Sequence, residues 1–253
     1  MKTVTTKLLK DAGLDARLPL RTSPVGTFFV TAFIGGVAVL FGGFSLVGQV
    51  PVMSHAVTLG LAIYLAATIW VARRLSADFP HAALGLCNIA TLGRLVIVAI
   101  LLVALLDGVS PSWVTFSLAI LALCLDGIDG WLARKQGLVS DFGARFDVEV
   151  DAAFALVLAV FAAVNGAAGA YVVLLGLPYY IFGAARRIFP WLNQPLPEKF
   201  SRKVVCVFQI AALIALQVPF LADGWLDPVI FAVTMALLWS FGRDIVWLRA
   251  NAK

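Results

Sequence analysis

The chain has 253 residues, of which 62% are hydrophobic and 13% are charged, and its formal net charge at pH 7 is +5. With a mean hydropathy of +0.98, this composition lies outside the usual balance of a soluble domain and indicates an integral membrane protein. A nucleic-acid-binding function is not expected, because the basic residues follow a membrane topology and form no basic groove in a soluble domain.

The first 24 residues combine Lys and Arg with interspersed leucines, such as Leu8 and Leu14. This pattern is typical of an amphipathic helix that lies along the membrane interface. A cleaved signal peptide is the alternative, but the apolar segment that follows is longer than a signal h-region and no A-x-A site closes it. We therefore expect that segment to be the first membrane span.

Eight apolar segments follow in chain order, each close to the ~20 residues that a helix needs to cross a bilayer. They are 25–48, 57–72, 89–106, 111–130, 144–164, 168–185, 204–222 and 228–247. The turns on one side of the membrane contain no Lys or Arg, so the positive-inside rule assigns the opposite side to the cytoplasm. The sequence predicts an all-α, polytopic membrane helix bundle of about eight transmembrane helices, with both termini in the cytoplasm.

A polar connection through Asp78, Pro80 and His81 separates the first two spans from the remaining six. Every motif described below lies after this connection. We therefore divide the chain into residues 1–80, an interfacial helix with two accessory transmembrane helices, and residues 81–253, a six-helix core.

Four aspartates interrupt two consecutive spans, where charge is costly and usually functional. Asp126 and Asp129 lie three residues apart near the end of one span, and Asp147 and Asp151 lie four apart at the start of the next. On helices, each pair shares one face. Glu149, by contrast, points about 200° round the helix from Asp147 at ~100° per residue, so we exclude it from the cluster.

The residues between the two pairs predict a tight turn. Gly137 is a candidate helix C-cap, and Ser140 or Asp141 is a candidate N-cap for the next helix. In an antiparallel hairpin centred on this turn, Asp126 faces Asp151 and the other two acids face each other. All four carboxylates are therefore predicted to converge at one depth.

Four clustered carboxylates in a poorly solvated site need counter-charge. An all-oxygen set without His or Cys favours Mg²⁺ or Mn²⁺ over Zn²⁺, and four acids are enough for two such ions. Two ions would polarise a diphosphate and stabilise its leaving group. Beside them, Gly130 and Ala133 would leave this face of the helix open, and Arg134 could contact a phosphate group with a bidentate fork.

The segment D-G-I-D-G-W-L-A-R, followed after eight residues by G-A-R-F-D-V-E-V-D, resembles the signature of the CDP-alcohol phosphotransferase family, D-x2-D-G-x2-A-R-x8-9-G-x3-D-x3-D. All eight fixed positions of that signature are filled. A weaker family signature, N-x2-T-x2-R, is similar to the spacing of Asn88, Thr91 and Arg94. The resemblance covers roughly residues 85–248.

The resemblance implies a phospholipid-synthesising transferase of a bacterial inner membrane, with its active site facing the cytoplasm. Such enzymes transfer the substituted phosphate of a CDP-alcohol, usually CDP-diacylglycerol, to the hydroxyl of a polar alcohol and release CMP. The four aspartates would hold two Mg²⁺ or Mn²⁺ ions, with Asp147 and Asp151 catalytic and Asp151 the general base. The residues implied in nucleotide or diphosphate binding are Asn88, Thr91, Arg94, Gly130, Ala133, Arg134 and Gly143.

The acceptor alcohol is not readable from these motifs. A basic tract near residues 186–203 suggests capture of a phosphorylated acceptor, although anchoring at the membrane surface explains such residues equally well. The candidate acceptor-binding residues are Arg186, Arg187, Lys199 and Arg202. This tract slightly favours glycerol phosphate or inositol phosphate, whereas the two accessory helices are similar to those of some phosphatidylcholine synthases, and phosphatidylserine synthesis is also open.

Three other functions compete with this hypothesis. An intramembrane prenyltransferase also uses aspartates with Mg²⁺, but its two motifs usually lie on helices well separated in sequence. An ion-coupled transporter would require discontinuous helices in pseudo-symmetric halves, which we do not find. A noncatalytic relative would be expected to have lost at least one acid. Relatives are commonly homodimers, but the sequence identifies no dimer face.

Overall fold

The computed structural model describes residues 23–48, 54–194, 200–221 and 225–251. All regular secondary structure in these ranges is helical, which confirms the predicted all-α class for this part of the chain. The interfacial helix predicted for the first 24 residues lies almost entirely outside the described residues.

Nine α-helices, numbered in chain order, make up the described fold. They are α1 Pro24–Val47, α2 His55–Asp78, α3 Gly85–Leu106, α4 Trp113–Gln136, α5 Asp141–Val164, α6 Val173–Gly176, α7 Pro178–Ile188, α8 Phe200–Ala215 and α9 Asp227–Ala250. Short 3-10 turns occur at Ala170–Val172, Pro190–Asn193 and Pro219–Leu221.

Five of the described helices, α1, α2, α3, α4 and α9, are long and apolar enough to cross a membrane. Helix α5 has the same length of 24 residues, but its first half carries Arg145 and Glu149 in addition to two of the aspartates. Several apolar helices of this length indicate an integral membrane protein.

Two predicted spans are not single long helices in the structure. The segment 168–185 is divided between a 3-10 turn, α6 and α7, and Pro178 occupies the first turn of α7. Proline has no backbone N–H to donate to the preceding turn, so the helix restarts there. The segment 204–222 is also interrupted, because α8 ends at Ala215 and a separate turn begins at Pro219.

Helix α3 lies at the centre of the bundle and packs against α1, α2, α4 and α5. The two accessory helices, α1 and α2, pack closely against each other and against α3. The buried hydroxyl of Tyr64 on α2 donates a hydrogen bond of 2.9 Å to the carbonyl oxygen of Ala32 on α1. A Cβ atom at Gly35 would collide with Tyr64 and with Val96 of α3. Small residues at such contacts let membrane helices approach closely.

Candidate active site

The predicted tight turn between α4 and α5 is confirmed. Helix α4 ends at Gln136, and Gly137 follows in the left-handed conformation, with φ 65° and ψ 27°. The hydroxyl of Ser140 then accepts a hydrogen bond of 3.1 Å from the N–H of Gly143, which caps α5. The two caps allow α5 to fold back along α4 within a few residues.

The hairpin brings the aspartates together. Asp126, Asp129 and Asp147 each offer a carboxylate oxygen, and these three oxygens lie within 4.8 Å of one another. Asp129 is buried, whereas Asp126 and Asp147 are half-buried. Asp151 lies one helical turn beyond Asp147 and joins the same cluster through a shared arginine.

That arginine is Arg94 of α3, whose side chain is only 2% exposed. Its Nη1 lies 2.8 Å from Asp126 Oδ1, 3.2 Å from Asp129 Oδ2 and 2.5 Å from Asp147 Oδ1. Its Nη2 forms an ion pair with Asp151 Oδ1. One buried guanidinium therefore connects all four carboxylates. The family resemblance connects Arg94 with phosphate binding, and this contact with the acids was not predicted.

Thr91 and Asn88 lie on the same face of α3 as Arg94. The hydroxyl of Thr91 lies 3.2 Å from Asp129 Oδ2 and 3.1 Å from the carbonyl oxygen of Cys87. The amide of Asn88 donates a hydrogen bond of 2.6 Å to the carbonyl oxygen of Leu84. The spacing of three residues places these side chains on one face of α3. In the structure this face lies against the hairpin, because Thr91 and Arg94 both contact Asp129.

A cavity of about 330 Å³ lies between this face of α3 and the hairpin. It brings together six of the residues that the family resemblance connects with the nucleotide, and two acids: Asn88, Thr91, Gly130, Ala133, Arg134, Gly143, Asp129 and Asp147. Arg94 is not among its lining residues. The structure therefore gathers most of this predicted set around one space.

Two glycines of this cavity differ in their surroundings. A Cβ atom at Gly143 would lie 3.2 Å from both Asn88 Oδ1 and Ser140 Oγ, so packing within the protein already favours glycine there. A Cβ atom at Gly130 would meet only Arg134 Nη1, at an ordinary distance of 3.5 Å. Since protein packing does not require glycine at position 130, the free space there belongs to the cavity.

A second cavity, of about 440 Å³, lies on the other side of the acid cluster. Arg94, Asp126 and Asp151 are its charged lining residues. The remaining wall is largely apolar and includes Phe154, Leu175, Phe182, Ile210 and Phe241. The carboxylates therefore border both a polar and an apolar space.

The donor set of this cluster fits a hard divalent cation. Three carboxylate oxygens at this separation, with a fourth carboxylate one turn away, match the oxygen ligands that Mg²⁺ and Mn²⁺ prefer. Glu149 is not part of the group and lines a different cavity, as its position on the helix predicted.

The predicted acceptor-binding residues are not gathered at one place. Arg186 lines a cavity of about 1010 Å³, and its Nε donates a hydrogen bond of 3.2 Å to the carbonyl oxygen of Leu192. Arg187 is exposed at the end of α7. The Nε of Arg202 instead lies 2.9 Å from Asp244 Oδ2 on α9, and Lys199 lies outside the described residues.

The family model for CDP-alcohol phosphatidyltransferase matches residues 84–243, well over half of the chain. The matched range contains the four aspartates, Arg94 and Arg134. Comparison with curated proteins and with solved structures gives no match. The match favours a phosphotransferase over the prenyltransferase and transporter alternatives, and the chain belongs to the CDP-alcohol phosphatidyltransferase family.

Proposed function

We propose that this chain transfers the phosphatidyl group of CDP-diacylglycerol to a phosphorylated polyol, such as glycerol phosphate or inositol phosphate, and releases CMP. Members of the family transfer a phosphatidyl group from a CDP-alcohol to an alcohol acceptor, so the chain is a phosphotransferase of phospholipid biosynthesis. The observation that carries the proposal is the meeting of four aspartates from α4 and α5 beside two cavities of different polarity.

Asp126, Asp129, Asp147 and Asp151 would hold two divalent cations, Mg²⁺ or Mn²⁺. Bound there, the ions would polarise the diphosphate and stabilise the charge on departing CMP. Asp151 is the proposed general base, since its side chain is 46% exposed and it borders the second cavity rather than the nucleotide cavity. It takes the proton of the acceptor hydroxyl as that oxygen bonds to the β-phosphorus and the bond to the CMP oxygen breaks.

The two cavities suggest where the two parts of the donor substrate bind. The cytidine and diphosphate would occupy the 330 Å³ cavity, where Gly130 leaves space and the guanidinium of Arg134 lies nearby. The acyl chains suit the 440 Å³ cavity, because its apolar wall continues directly from Asp126 and Asp151. An amphiphilic donor would thereby place its diphosphate at the acids.

We further propose a division and a membrane topology for the whole chain. Residues 81–253 form the catalytic core and residues 1–80 the accessory region, which agrees with a family match that begins at residue 84. Eight crossings, counting the interrupted α6–α7 segment and α8, would leave both termini in the cytoplasm of a bacterium and the acids near the cytoplasmic face of its inner membrane.

The test uses purified protein with CDP-diacylglycerol, Mn²⁺ and one acceptor at a time, namely glycerol 3-phosphate, inositol phosphate, serine or choline. CMP release is expected with a phosphorylated polyol. Asp126→Asn and Asp151→Asn should each reduce it by about 10²–10⁴-fold, because each removes a charge used in the transfer.

The matched control is Asp107→Asn, which makes the same chemical change at an exposed position at the end of α3. It should retain wild-type release. Undiminished release from either site variant would refute the catalytic assignment. Release with serine or choline alone would refute the proposed acceptor class and leave the transfer reaction standing.

A further inference from the structure

The cavity of about 1010 Å³ lies outside the acid cluster, between α2, α5 and α7. Helix α2 contributes Trp70 and Arg74, α5 contributes Arg145 and Glu149, and α7 contributes Tyr179 and Arg186. The accessory helix α2 precedes the range that the family model matches. One wall of this space therefore comes from outside the range that the family model matches.

This cavity adjoins both spaces beside the aspartates. It shares Ala144 with the 330 Å³ cavity. It shares Val148 and Tyr179 with the 440 Å³ cavity. A small polar molecule in it would lie next to the acids without displacing the nucleotide or the acyl chains.

Two of its arginines are held in place without being neutralised by close ion pairs. The guanidinium of Arg74 lies 5.6 Å from the centroid of the Trp70 ring, and its contact with Asp78 is long, at 3.9 Å, with both side chains about half exposed. The guanidinium of Arg186 lies 5.0 Å from the centroid of the Phe182 ring. Stacked guanidinium groups keep their N–H donors available for an anion.

The lining also contains acceptors. Asp78, Asp141 and Glu149 balance the three arginines in formal charge, and the hydroxyl of Tyr179 adds a further polar group. A mixed lining of this kind suits a molecule that carries both a phosphate, bound by guanidinium forks, and several hydroxyl groups, which carboxylates can bind.

We propose that α2 forms part of the acceptor site, and that Arg74 and Arg186 together bind the phosphate of the phosphorylated polyol. This inference rests on the proposed function. Glu149 and Tyr179 bind hydroxyl groups of the same molecule and orient it, so that the reacting hydroxyl reaches Asp151 past Val148. The accessory helix thereby selects the acceptor, while the core supplies the chemistry.

The experiment measures KM for glycerol 3-phosphate and for inositol phosphate in Arg74→Gln and in the control Arg73→Gln. The control removes the same charge from the neighbouring residue of α2, which is exposed and does not line the cavity. Arg74→Gln should raise acceptor KM by about 10-fold or more, as expected for loss of a charge-assisted hydrogen bond. It should leave KM for CDP-diacylglycerol within about 2-fold, since Arg74 lines neither of the other cavities.

Arg74→Lys and Arg186→Gln extend the test. Arg74→Lys keeps the charge but loses the fork, so its acceptor KM should lie between those of wild type and Arg74→Gln. Arg186→Gln should raise acceptor KM as Arg74→Gln does. If Arg74→Gln does not fold, the comparison of Arg74→Lys with Arg73→Lys decides the question by the same measurement.

Equal acceptor KM in the Arg74→Gln and Arg73→Gln variants would overturn this inference. If the wild type still releases CMP in that case, the proposed transfer reaction stands. A wild type that used glycerol as well as glycerol 3-phosphate, at similar KM, would overturn the phosphate contact. A wild type that released no CMP with any acceptor would instead refute the proposed function itself.

Discussion

The hairpin of α4 and α5 and the region of α7 and α8 hold their charged side chains in different ways. In the hairpin, the four aspartates are fixed by two helix caps and by a buried guanidinium that contacts each of them. On α7 and α8, Arg186 is held by the carbonyl oxygen of Leu192 and Arg202 by Asp244 of α9. The four aspartates thus share one cation, whereas Arg186 and Arg202 have separate partners in different parts of the described structure.

The largest expected effect comes from removing the cation of the hairpin. Arg94→Gln leaves one buried and three partly exposed carboxylates without their buried cation. Loss of one member of a buried ion pair costs about 3–5 kcal/mol, and solvent reduces this cost for the three partly exposed acids, so the free energy of unfolding without added metal should fall by about 3 kcal/mol. Mn²⁺ should restore more stability to Arg94→Gln than it adds to wild type, because it replaces the lost charge.

Thermal unfolding in detergent, with and without Mn²⁺, measures this effect, and Arg73→Gln is the control for loss of an arginine. Equal metal-free stability of Arg94→Gln and wild type would show that the guanidinium is not what holds the acids together. Equal gains in stability for Arg94→Gln and wild type on adding Mn²⁺ would argue against metal binding by the aspartates.

An intermediate effect is expected at the nucleotide cavity. Gly130→Ala adds a methyl group to the cavity, whereas Gly127→Ala, one turn earlier on α4, meets nothing within 4 Å. Neither change should destabilise the protein, since alanine favours a helix over glycine. Gly130→Ala should raise KM for CDP-diacylglycerol by about 10-fold through overpacking against the nucleotide, and Gly127→Ala should not. Similar KM values in the two variants would place the nucleotide elsewhere.

The smallest effect is expected at Arg202. Because its Nε contacts the buried carboxylate of Asp244 while Arg202 itself is partly exposed, Arg202→Gln should lower the free energy of unfolding by about 1–2 kcal/mol. Acceptor KM should remain within about 2-fold of wild type, in contrast to the Arg186 variant. If Arg202→Gln instead raises acceptor KM selectively, Arg202 belongs to the acceptor site. The proposed difference between a structural Arg202 and an acceptor-binding Arg186 would then be wrong.

The parts of the site that sequence could predict are those set by short-range spacing. The intervals within each aspartate pair, together with Gly137 and Ser140, were enough to predict the hairpin, because helical periodicity and capping act over a few residues. Pro178 also carried a readable signal for the break between α6 and α7, which a pattern of hydropathy alone does not register.

The remaining features depend on packing between distant segments. The direction of the Arg94 side chain follows from how α3 lies against the hairpin, and no spacing in the chain encodes that. Likewise, Arg74 meets the cavity beside Glu149 only because α2 packs near α5 and α7. A single sequence shows Arg74 as one more basic residue at the end of a span.

The buried contact of Arg94 has a consequence for biosynthesis. Arg94 precedes all four aspartates in the chain, so the ribosome delivers the guanidinium to the membrane before any of the acids. If α4 and α5 then insert into the membrane together, the guanidinium of Arg94 is already available as a partner for their carboxylates, before any metal ion binds. We therefore expect this order of residues to favour insertion of the hairpin, because unpaired negative charge is costly in a membrane.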